Sequence, residues 1–545
     1  MPWLLKLACL VLACNLTVHS SVTGGGGGGG GDAIARLPPL AAVRLPAGGW
    51  LPEIRRTAPA AALTMPASAA QAAAPAALSP LRLVFAHMML CFAAFSAPGN
   101  SSAAIAGYVR EIGVARAAGL DGLAVEYLGR DAYYAPAAQG MFAACAAANA
   151  AAPAGSPPFR LFLIINFCCG LNLTDAVNLY AAYHNHSCAL RIDGRPVFSS
   201  WSAVDWRAGG PAEQARWQRD FFAPIAALGL PRPFFFPFIY AYDEATGTYE
   251  ETATLAEQAA TLSAFSEILD GLWYWGCAPL GDAVAASSLA TAQACAAAGK
   301  RSAVPVSAPY SPHIGDRAAA GNNRYTQGNG GRAIQQAWRA HIGSTADLVI
   351  ATTWNDLGEH HYIGPYNKTL WGHDTVSGWD AGSGPNLFPH QAYLDLSAYY
   401  IRWFKLPAGS PAPPVPPDDE RLVYFYNLQP VNNSCPGDPV GPLSKIAGDA
   451  QYPLEDAVYV TALLAAPANI SIFSGDNPPR TFAVGAGLAD VQAPAAPGVQ
   501  RFVLTRDGAE LVNVTGSEAV NSTAQAAGIC NSQTFSGTVR VQAQR

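Results

Sequence analysis

Two carboxyl groups lie three positions apart in the segment TTWNDLGEHHYIGPY, which spans residues 352–366. Asp356 and Glu359 are separated by Leu357 and Gly358, and a tight connection that contains glycine can turn both side chains towards one cleft. Hydrolysis of a glycosidic bond needs two such groups: one gives a proton to the leaving oxygen, and the other activates water or attacks carbon. The spacing predicts a catalytic pair, with an ordinary surface loop as the alternative.

The surroundings of the two acids favour the catalytic interpretation. The segment follows the apolar run DLVIA at 347–351, so the acids come directly after a strand of buried type. An apolar, aromatic wall raises the pKa of a carboxyl group, and a like charge nearby helps it to keep its proton. The order EHH at 359–361 lacks the i, i+4 spacing of zinc-binding helices. We therefore expect hydrogen bonding or sugar contact from these histidines rather than a metal site.

The elements that would position these residues alternate along residues 79–405. Short apolar runs of strand type are each followed by a longer helical stretch, which indicates a parallel sheet covered on both faces. Eight such units predict an α/β fold, the closed (β/α)8 TIM barrel. An open doubly wound sheet is the alternative, but no glycine-rich phosphate loop stands where that fold would place one. The strand runs are 81–86, 122–127, 159–167, 196–201, 234–240, 271–276, 303–310 and 348–354; the helical stretches are 102–118, 137–150, 173–185, 211–228, 252–269, 283–298, 328–342 and 390–404.

Aromatic and polar side chains collect at the carboxyl ends of these runs, where TIM barrels carry their chemistry. Sugar rings have apolar faces and polar edges, so stacked aromatic rings beside hydrogen-bonding groups suit a carbohydrate. The alternative is that about half of the rings belong to the barrel core. The residues at these positions are His87, Glu126, Tyr127, Asn166, Trp201, Asp205, Trp206, Tyr240, Tyr242, Asp243, Trp273, Tyr274, Trp275, Tyr310 and His313.

The apolar period changes after the barrel. A Pro-rich stretch at 406–417 is typical of a hinge, and residues 418–545 contain short strands of period two between Gly, Pro, Asn and Asp turns. This pattern predicts an antiparallel β-sandwich. No ligand signature stands out there, so a structural module packed against the barrel is favoured over a separate sugar-binding module. The predicted strands are 421–428, 457–465, 468–473, 480–487, 499–506, 509–516 and 536–543.

The N-terminal 78 residues are expected to lie outside the fold. Residues 1–20 combine Lys6 with an apolar stretch at 7–16 that is short for a membrane span, followed by small residues suited to cleavage after Ser20. This predicts a removed secretory signal, with an uncleaved anchor as the alternative. Residues 21–78 contain GGGGGGGG and then Ala- and Pro-rich sequence, which is typical of a flexible linker.

The composition agrees with a secreted glycoprotein in the extracellular space or the cell wall. A net charge of −6 indicates neither a nucleic-acid partner nor a basic membrane-binding face, and we expect a monomer with no membrane contact once the signal is removed. Nine of the eleven cysteines follow the signal, an odd number and too few for a disulfide scaffold; Cys435 and Cys530 are the favoured pair. Sequons of the type Asn-x-Ser/Thr begin at Asn100, Asn172, Asn185, Asn367, Asn432, Asn469, Asn513 and Asn521.

The segment TWNDLGEHHYIGP at 353–365 resembles the TWND-x-GE-x-HYIGP signature of the fungal α-1,3-glucanases (mutanases), glycoside hydrolase family 71. The resemblance covers about residues 81–545, and the TWND motif is its most specific part. Other similar segments are VFAHMM at 84–89, AAGLDGLAVEYLG at 117–129, DGLWYWG at 270–276, VPVSAPYSP at 304–312, FPHQAYLDLSAYYI at 388–401 and YPLEDAVYVTALLAAPANISIFSG at 452–475.

The resemblance implies an enzyme that cleaves α-1,3-linked glucan with inversion and without a cofactor. Asp356 and Glu359 would be the catalytic pair, with Glu359 as the general acid and Asp356 as the base that orients water. Inversion requires the two carboxyl groups to lie about 6.5–9.5 Å apart, because the water must fit between them and the sugar. The residues expected to contact the glucan are His87, Glu126, Asn166, Trp275, Trp354, Asn355, His361 and Tyr362.

Three positions depart from the family pattern. The family has Asp at the end of its third strand, where this chain has Asn166. Leu357 stands in place of an aromatic residue and His360 in place of serine, and both border the proposed pair. These departures leave two alternatives open: a hydrolase of a different wall glucan, and a non-catalytic carbohydrate-binding wall glycoprotein built on the same barrel. The retained pair of carboxyl groups argues against the second.

Overall fold

The computed structural model describes residues 80–92, 99–130, 132–167, 170–201, 210–239, 241–243, 248–250, 253–276, 282–310, 328–357, 361–365, 390–432, 455–521 and 534–541. All of them belong to one compact unit. The predicted signal and linker, residues 1–78, lie outside the described residues and stay predictions. Within the described ranges, no helix combines the length and the apolar character that a membrane span requires.

Eight strands alternate with eight helices between residues 83 and 404. The strands are β1 Leu83–Met89, β2 Gly122–Tyr127, β3 Arg160–Asn166, β4 Arg195–Trp201, β5 Phe234–Phe235, β6 Gly271–Trp273, β7 Arg301–Ser307 and β8 Leu348–Thr352. The helices are α1 Ser102–Ala117, α2 Tyr134–Ala150, α3 Leu173–Tyr183, α4 Gly210–Trp217, α5 Leu255–Ala264, α6 Asp282–Ala297, α7 Arg332–Ile342 and α8 Gln391–Phe404. Two short helical pieces, Gln218–Phe222 and Ala223–Ala227, continue α4. The other short pieces are Leu90–Phe92, Arg191–Ile192, Pro417–Asp419 and a hairpin made of Ala241–Asp243 and Thr248–Glu250.

The eight strands form a parallel ring. Hydrogen-bonded neighbours run in the order β4, β3, β2, β1, β8, β7 and β6, and β5 pairs with β4. Phe238 closes the ring, because it forms parallel bridges with both Trp201 and Trp273. The strand β5 is short since Pro233 and Pro237 flank it, and proline has no N–H to donate to a ladder. The predicted (β/α)8 barrel is confirmed, with β5 and β6 shorter than the predicted runs.

Alternate residues of each barrel strand belong to two separate cores, as a period of two requires. Phe85, Ala124 and Ile350 lie in the cluster that fills the barrel interior. Their neighbours Val84 and Val125 lie in the cluster between the strands and the helices. Burial on both faces explains why the strands read as continuous apolar runs rather than as alternating ones.

Polar caps at the start of two helices fix their first turns. In α3 the Asn172 side chain accepts from the amide nitrogens of Thr174 and Asp175, and the Asp175 carboxylate accepts from the Asn172 amide nitrogen. Thr254 and Glu257 form the same reciprocal box at α5. Each box satisfies amide groups that would otherwise lack a partner in the first turn.

Eight further strands form two antiparallel sheets of four. They are β9 Arg421–Asn427, β10 Ala457–Leu464, β11 Ala468–Ser474, β12 Arg480–Val484, β13 Gly487–Pro494, β14 Gln500–Arg506, β15 Ala509–Thr515 and β16 Thr534–Arg540. The first sheet has the order β13, β10, β9, β16, and the second has the order β12, β11, β14, β15. The predicted β-sandwich is confirmed. The strand β13 was not predicted, because GLADVQAP offers few apolar residues to an edge position.

The two central strands of the first sheet are buried on both faces, with every residue of β9 and β10 buried. On one face, Val423 and Phe425 join the same core as the helices of the barrel, and the Phe425 ring lies 4.8 Å from that of Tyr393 in α8. On the other face, Leu422 and Tyr424 pack against the second sheet. The sheet is therefore the middle layer between barrel helices and the outer sheet.

The segment 406–417 joins the two parts and is held against α8. Trp403 donates from Nε1 to the carbonyl oxygen of Ser410, and the Tyr399 hydroxyl donates to the carbonyl oxygen of Pro413. A disulfide links Cys145 in α2 to Cys188. The predicted pair Cys435–Cys530 lies outside the described residues.

Candidate active site

The period of two along the barrel strands directs a set of polar side chains into the barrel mouth. His87 lies two residues after the interior residue Phe85, and Glu126 lies two residues after the interior residue Ala124. The same counting applies to Asn166 in β3 and Thr352 in β8, and Ser307 in β7 lies four residues after the interior residue Ala303. Because parallel strands end at the same edge of a barrel, these five residues meet at its carboxyl end.

Glu126 carries a buried carboxyl group with two polar neighbours. Asn166 donates from Nδ2 to Oε1 of Glu126 over 2.8 Å, and His87 Nε2 lies 3.6 Å from Oε2. Glu126 is 2% exposed. An amide can donate to a carboxylate, whereas a second carboxylate at position 166 would repel it. The asparagine at position 166, where the family has aspartate, is therefore compatible with the neighbouring carboxyl group of Glu126.

A cluster of large rings fills the mouth beside His87. Trp275 meets His87 edge to face at 4.6 Å between ring centroids, and Trp273 lies 5.3 Å from Trp275. Trp201 and Phe238 complete the cluster. The rings of Trp201, Trp273, Tyr274, Trp275 and Tyr310 are buried in the cluster that fills the barrel interior, which agrees with the core alternative, and the assignment of Trp275 as a sugar contact stays a prediction. Asp205, Trp206, Tyr240 and His313 lie outside the described residues, and Tyr242 and Asp243 lie in the short hairpin strand Ala241–Asp243.

Three buried histidines at the mouth are neutral. Burial lowers the pKa of His87 and of His361 to about 3, and that of His390 to about 4. His361 Nε2 lies 2.6 Å from the Ser307 hydroxyl oxygen. His390 donates from Nδ1 to the carbonyl oxygen of Tyr362 over 2.8 Å, which fixes its tautomer. The group of side chains therefore carries no positive charge from histidine at neutral or mildly acidic pH.

Backbone hydrogen bonds hold Asp356 on both sides. Its amide nitrogen donates to Oγ1 of Thr353 over 2.7 Å, and its carbonyl oxygen accepts from the amide nitrogen of His361 over 3.0 Å. Asp356 and His361 thereby form an antiparallel bridge. Asp356 is buried, at the carboxyl end of β8 as the sequence predicts. Glu359 lies outside the described residues, so its placement and the distance between the two carboxyl groups stay predictions.

Three other predicted sugar contacts are packed within the protein. Trp354 is buried against Gly364, and its amide nitrogen donates to the carbonyl oxygen of His87 over 2.6 Å. Tyr362 is buried and stacks on His390 at 4.0 Å. Asn355 uses its side chain on the backbone of Met89. Their assignment as sugar contacts stays a prediction, and the packing gives each of them a structural role as well.

Sequence reasoning missed three residues that shape this site: Ser307, Thr353 and His390. Ser307 ends β7 three residues before Tyr310, the residue that the sequence analysis placed at the end of this run. Thr353 is recognisable only from the hydrogen bond that its hydroxyl accepts from Asp356. His390 precedes α8, about thirty positions from its partner Tyr362, so no local pattern could pair the two.

Several buried polar atoms of the mouth have no hydrogen-bond partner among the described residues. They are His87 Nδ1, Trp273 Nε1, Trp275 Nε1, Thr352 Oγ1 and His361 Nδ1. Buried donors and acceptors normally have partners, so these atoms are suited to a polar ligand. Within the described ranges, no group of three or more His, Cys, Asp or Glu is arranged to hold a metal ion.

Comparison with known proteins gives two curated relatives. The chain is 30% identical over 179 residues to a mutanase of Penicillium rubens, covering 33% of this chain and 37% of that protein. It is 25% identical over 434 residues to a glucan endo-1,3-alpha-glucosidase of Schizosaccharomyces pombe, covering 77% of this chain and 88% of that protein. The match to the mutanase therefore spans little more than a third of that protein's length.

Solved structures are more distant. A GH99 endo-alpha-mannosidase from Bacteroides thetaiotaomicron aligns with 59% of this chain and 98% of its own, at a TM-score of 0.43 and 15% identity. The family model described as glycosyl hydrolase family 71 matches residues 81–545, which include the barrel and both C-terminal sheets. On this match, the chain belongs to glycosyl hydrolase family 71.

Proposed function

We propose that this protein hydrolyses α-1,3-glucosidic bonds of a cell-wall glucan by an inverting mechanism with two carboxyl groups. The observation that carries the proposal is the position of Asp356 at the carboxyl end of β8, with hydrogen bonds at both its amide nitrogen and its carbonyl oxygen. A base must be held rigidly to orient a water molecule towards the anomeric carbon. The names of the two curated relatives, a mutanase and a glucan endo-1,3-alpha-glucosidase, support the linkage.

Glu359 is assigned the role of general acid and Asp356 that of general base. In this assignment Glu359 gives its proton to the glycosidic oxygen as the bond to the anomeric carbon breaks. Asp356 takes a proton from the water that attacks the opposite face of the sugar, which inverts the configuration. The general acid must be protonated and the general base must be ionised. Carboxyl groups in environments of different polarity can hold these opposite protonation states.

The charge state of the described mouth residues, with neutral histidines beside the carboxyl groups of Glu126 and Asp356, supports an uncharged substrate. The histidines there are neutral, and the indole nitrogens of Trp273 and Trp275 can donate only to an acceptor such as a hydroxyl oxygen. Glucan hydroxyl groups both donate and accept. A polysaccharide of acidic sugars would bring negative charge beside the buried carboxyl group of Glu126, which is unfavourable.

Secretion and N-glycosylation form part of the proposal. Seven of the eight sequon asparagines lie in described parts of the chain, and all seven are exposed: Asn100, Asn172, Asn185, Asn432, Asn469, Asn513 and Asn521. A sequon must reach the surface to accept a glycan. The disulfide between Cys145 and Cys188 supports an oxidising compartment.

The test is the release of reducing ends from insoluble α-1,3-glucan by the purified secreted chain, with α-1,4-glucan and β-1,3-glucan as parallel substrates. We expect release from α-1,3-glucan, with the β-anomer as the first product in a proton NMR time course. Release from another glucan alone would replace the substrate assignment. Sedimentation with the polymer without any release would favour the non-catalytic binding protein.

A further inference from the structure

The side chain of Asn355 is hydrogen-bonded at both ends to the backbone of a single residue. Its Oδ1 accepts from the amide nitrogen of Met89 over 2.8 Å, and its Nδ2 donates to the carbonyl oxygen of Met89 over 2.9 Å. Asn355 is 9% exposed and Met89 is 3% exposed. These two bonds satisfy both backbone groups of the last residue of β1, which a buried strand end requires.

The two bonds lie beyond the point where β1 stops pairing with β8, at a level where β1 still pairs with β2 through Met89 and Glu126. The register between β1 and β8 ends at the pair Ala86 and Ala351. One more backbone contact follows, from the Trp354 amide nitrogen to the carbonyl oxygen of His87. At the level of Met89 the Asn355 amide takes the place of a strand peptide group, with one donor and one acceptor. The chain can therefore leave the sheet after Asn355 and turn at the residue that follows it.

That next residue is Asp356, so we propose that Asn355 is a positioning residue for the catalytic base. Its side-chain amide fixes the TWND segment to the end of β1 and thereby holds the Asp356 carboxyl group in place at the mouth. The inference rests on the proposed function, because it assigns a role in orienting Asp356. It differs from the expectation that Asn355 contacts the glucan, since both amide ends are used on Met89.

The chemistry of the anchor selects an amide. Aspartate at position 355 has no donor when ionised, so the Met89 carbonyl oxygen would lose its partner and face a buried negative charge. Alanine at this position would leave both backbone groups of Met89 unpaired. A displacement of about 1 Å in a reacting group can lower a rate about 100-fold, so a loosened anchor is expected to act on the chemical step.

Asn149 provides a matched control far from the mouth. Its Oδ1 accepts from the amide nitrogen of Phe159 over 2.8 Å, and its Nδ2 donates to the carbonyl oxygen of Phe159 over 3.0 Å. This is the same pair of bonds to one residue, but it joins the end of α2 to the amino end of β3. Asn149 also contacts Arg116 and Cys188, so its removal costs at least as many contacts.

The experiment compares Asn355→Ala, Asn355→Asp and Asn149→Ala in the full secreted chain, with kcat and KM measured on soluble α-1,3-glucan oligosaccharides. We expect both Asn355 variants to lower kcat about 100-fold with KM changed less than about threefold, whereas Asn149→Ala keeps kcat within about twofold. Thermal melts should show comparable losses of stability for Asn355→Ala and Asn149→Ala.

Three outcomes would overturn the inference. Asn355→Ala could keep kcat near the wild-type value. It could raise KM at unchanged kcat, which would indicate a sugar contact. Asn149→Ala could lower kcat equally, which would indicate a general loss of stability.

Hydrogen exchange gives a readout independent of activity. Asn355→Ala should speed exchange in peptides covering 84–92 and 352–357, and unchanged exchange there refutes the anchor even if the wild type hydrolyses no glucan.

Discussion

Asn166 donates a hydrogen bond to the carboxylate of Glu126 inside the barrel mouth, where both side chains are almost completely buried. A buried carboxylate is costly unless donors surround it, and here one comes from the neighbouring strand. The pair shows that the asparagine at the end of β3 is part of a local arrangement with Glu126. Replacing either partner alone is therefore expected to disturb the other.

The first prediction concerns this pair. Asn166→Asp places two carboxyl groups next to each other, so one must keep a proton or the two repel. We expect a loss of stability of about 2–4 kcal/mol at pH 7. The loss should be smaller at pH 4.5, because one of the two carboxyl groups can then be protonated. The double variant Glu126→Gln/Asn166→Asp restores one carboxylate and one amide and should recover most of the loss. Thermal melts at the two pH values measure this, and equal melting temperatures for Asn166→Asp and the wild type at pH 7 would refute it.

The second prediction concerns the acids themselves. Asp356→Asn and Glu359→Gln each remove one proton-transfer group, so each should lower kcat by about 10²–10⁴-fold on α-1,3-glucan. The exposed Glu267 offers a control, and Glu267→Gln should keep wild-type activity. Reducing-end assays on the purified variants check this. Full activity in either acid variant would remove that residue from the catalytic pair.

The third prediction concerns acid stability. Burial lowers the pKa of His341 to about 4 in the folded protein, whereas an unfolded histidine titrates near 6.5. Between these pH values the unfolded state binds a proton that the folded state does not, so stability falls as the pH falls from about 6.5 to about 4. His87, His361 and His390 act in the same direction.

The variant His341→Gln removes the contribution of one histidine. In the wild type His341 Nε2 donates to the carbonyl oxygen of Pro305, and the Gln amide can still make this hydrogen bond. The variant should reduce the slope of unfolding free energy against pH by about 1 kcal/mol per pH unit between pH 6 and pH 4.5. Urea denaturation at several pH values measures the slope. An unchanged slope would mean that His341 titrates normally in the folded protein.

The fourth prediction concerns the first C-terminal sheet. The Phe425 ring packs against Tyr393 of the barrel helix α8 and is fully buried, so Phe425→Ala should cost about 3–5 kcal/mol. Phe473 lies on the second sheet, partly exposed beneath Arg501, and Phe473→Ala should cost much less, about 1 kcal/mol.

A chain ending at residue 417 should fail to give a stable barrel. A cooperative melt of that truncated chain would show instead that the C-terminal sheets are dispensable.

The order of elements followed from local patterns, and the sequence by itself predicted most of it. Apolar runs alternating with amphipathic stretches gave eight βα units, because burial of a parallel sheet on both faces leaves that signature. The sequence also predicted His87 at the mouth because it directly follows the run 81–86, although only the structure shows that Phe85 and His87 share the interior face. The position of Asp356 after the last strand was available in the same way.

Only the tertiary structure decided which side chains meet. Asn355 lies 266 positions from Met89, and Asn166 lies 40 positions from Glu126, so their hydrogen bonds depend on the ring of strands and its register. The burial of Trp273 and Trp275 depends likewise on closure of the ring at Phe238. Local patterns report which strand or helix a residue belongs to. The partner that it faces is set by packing between elements that are distant along the chain.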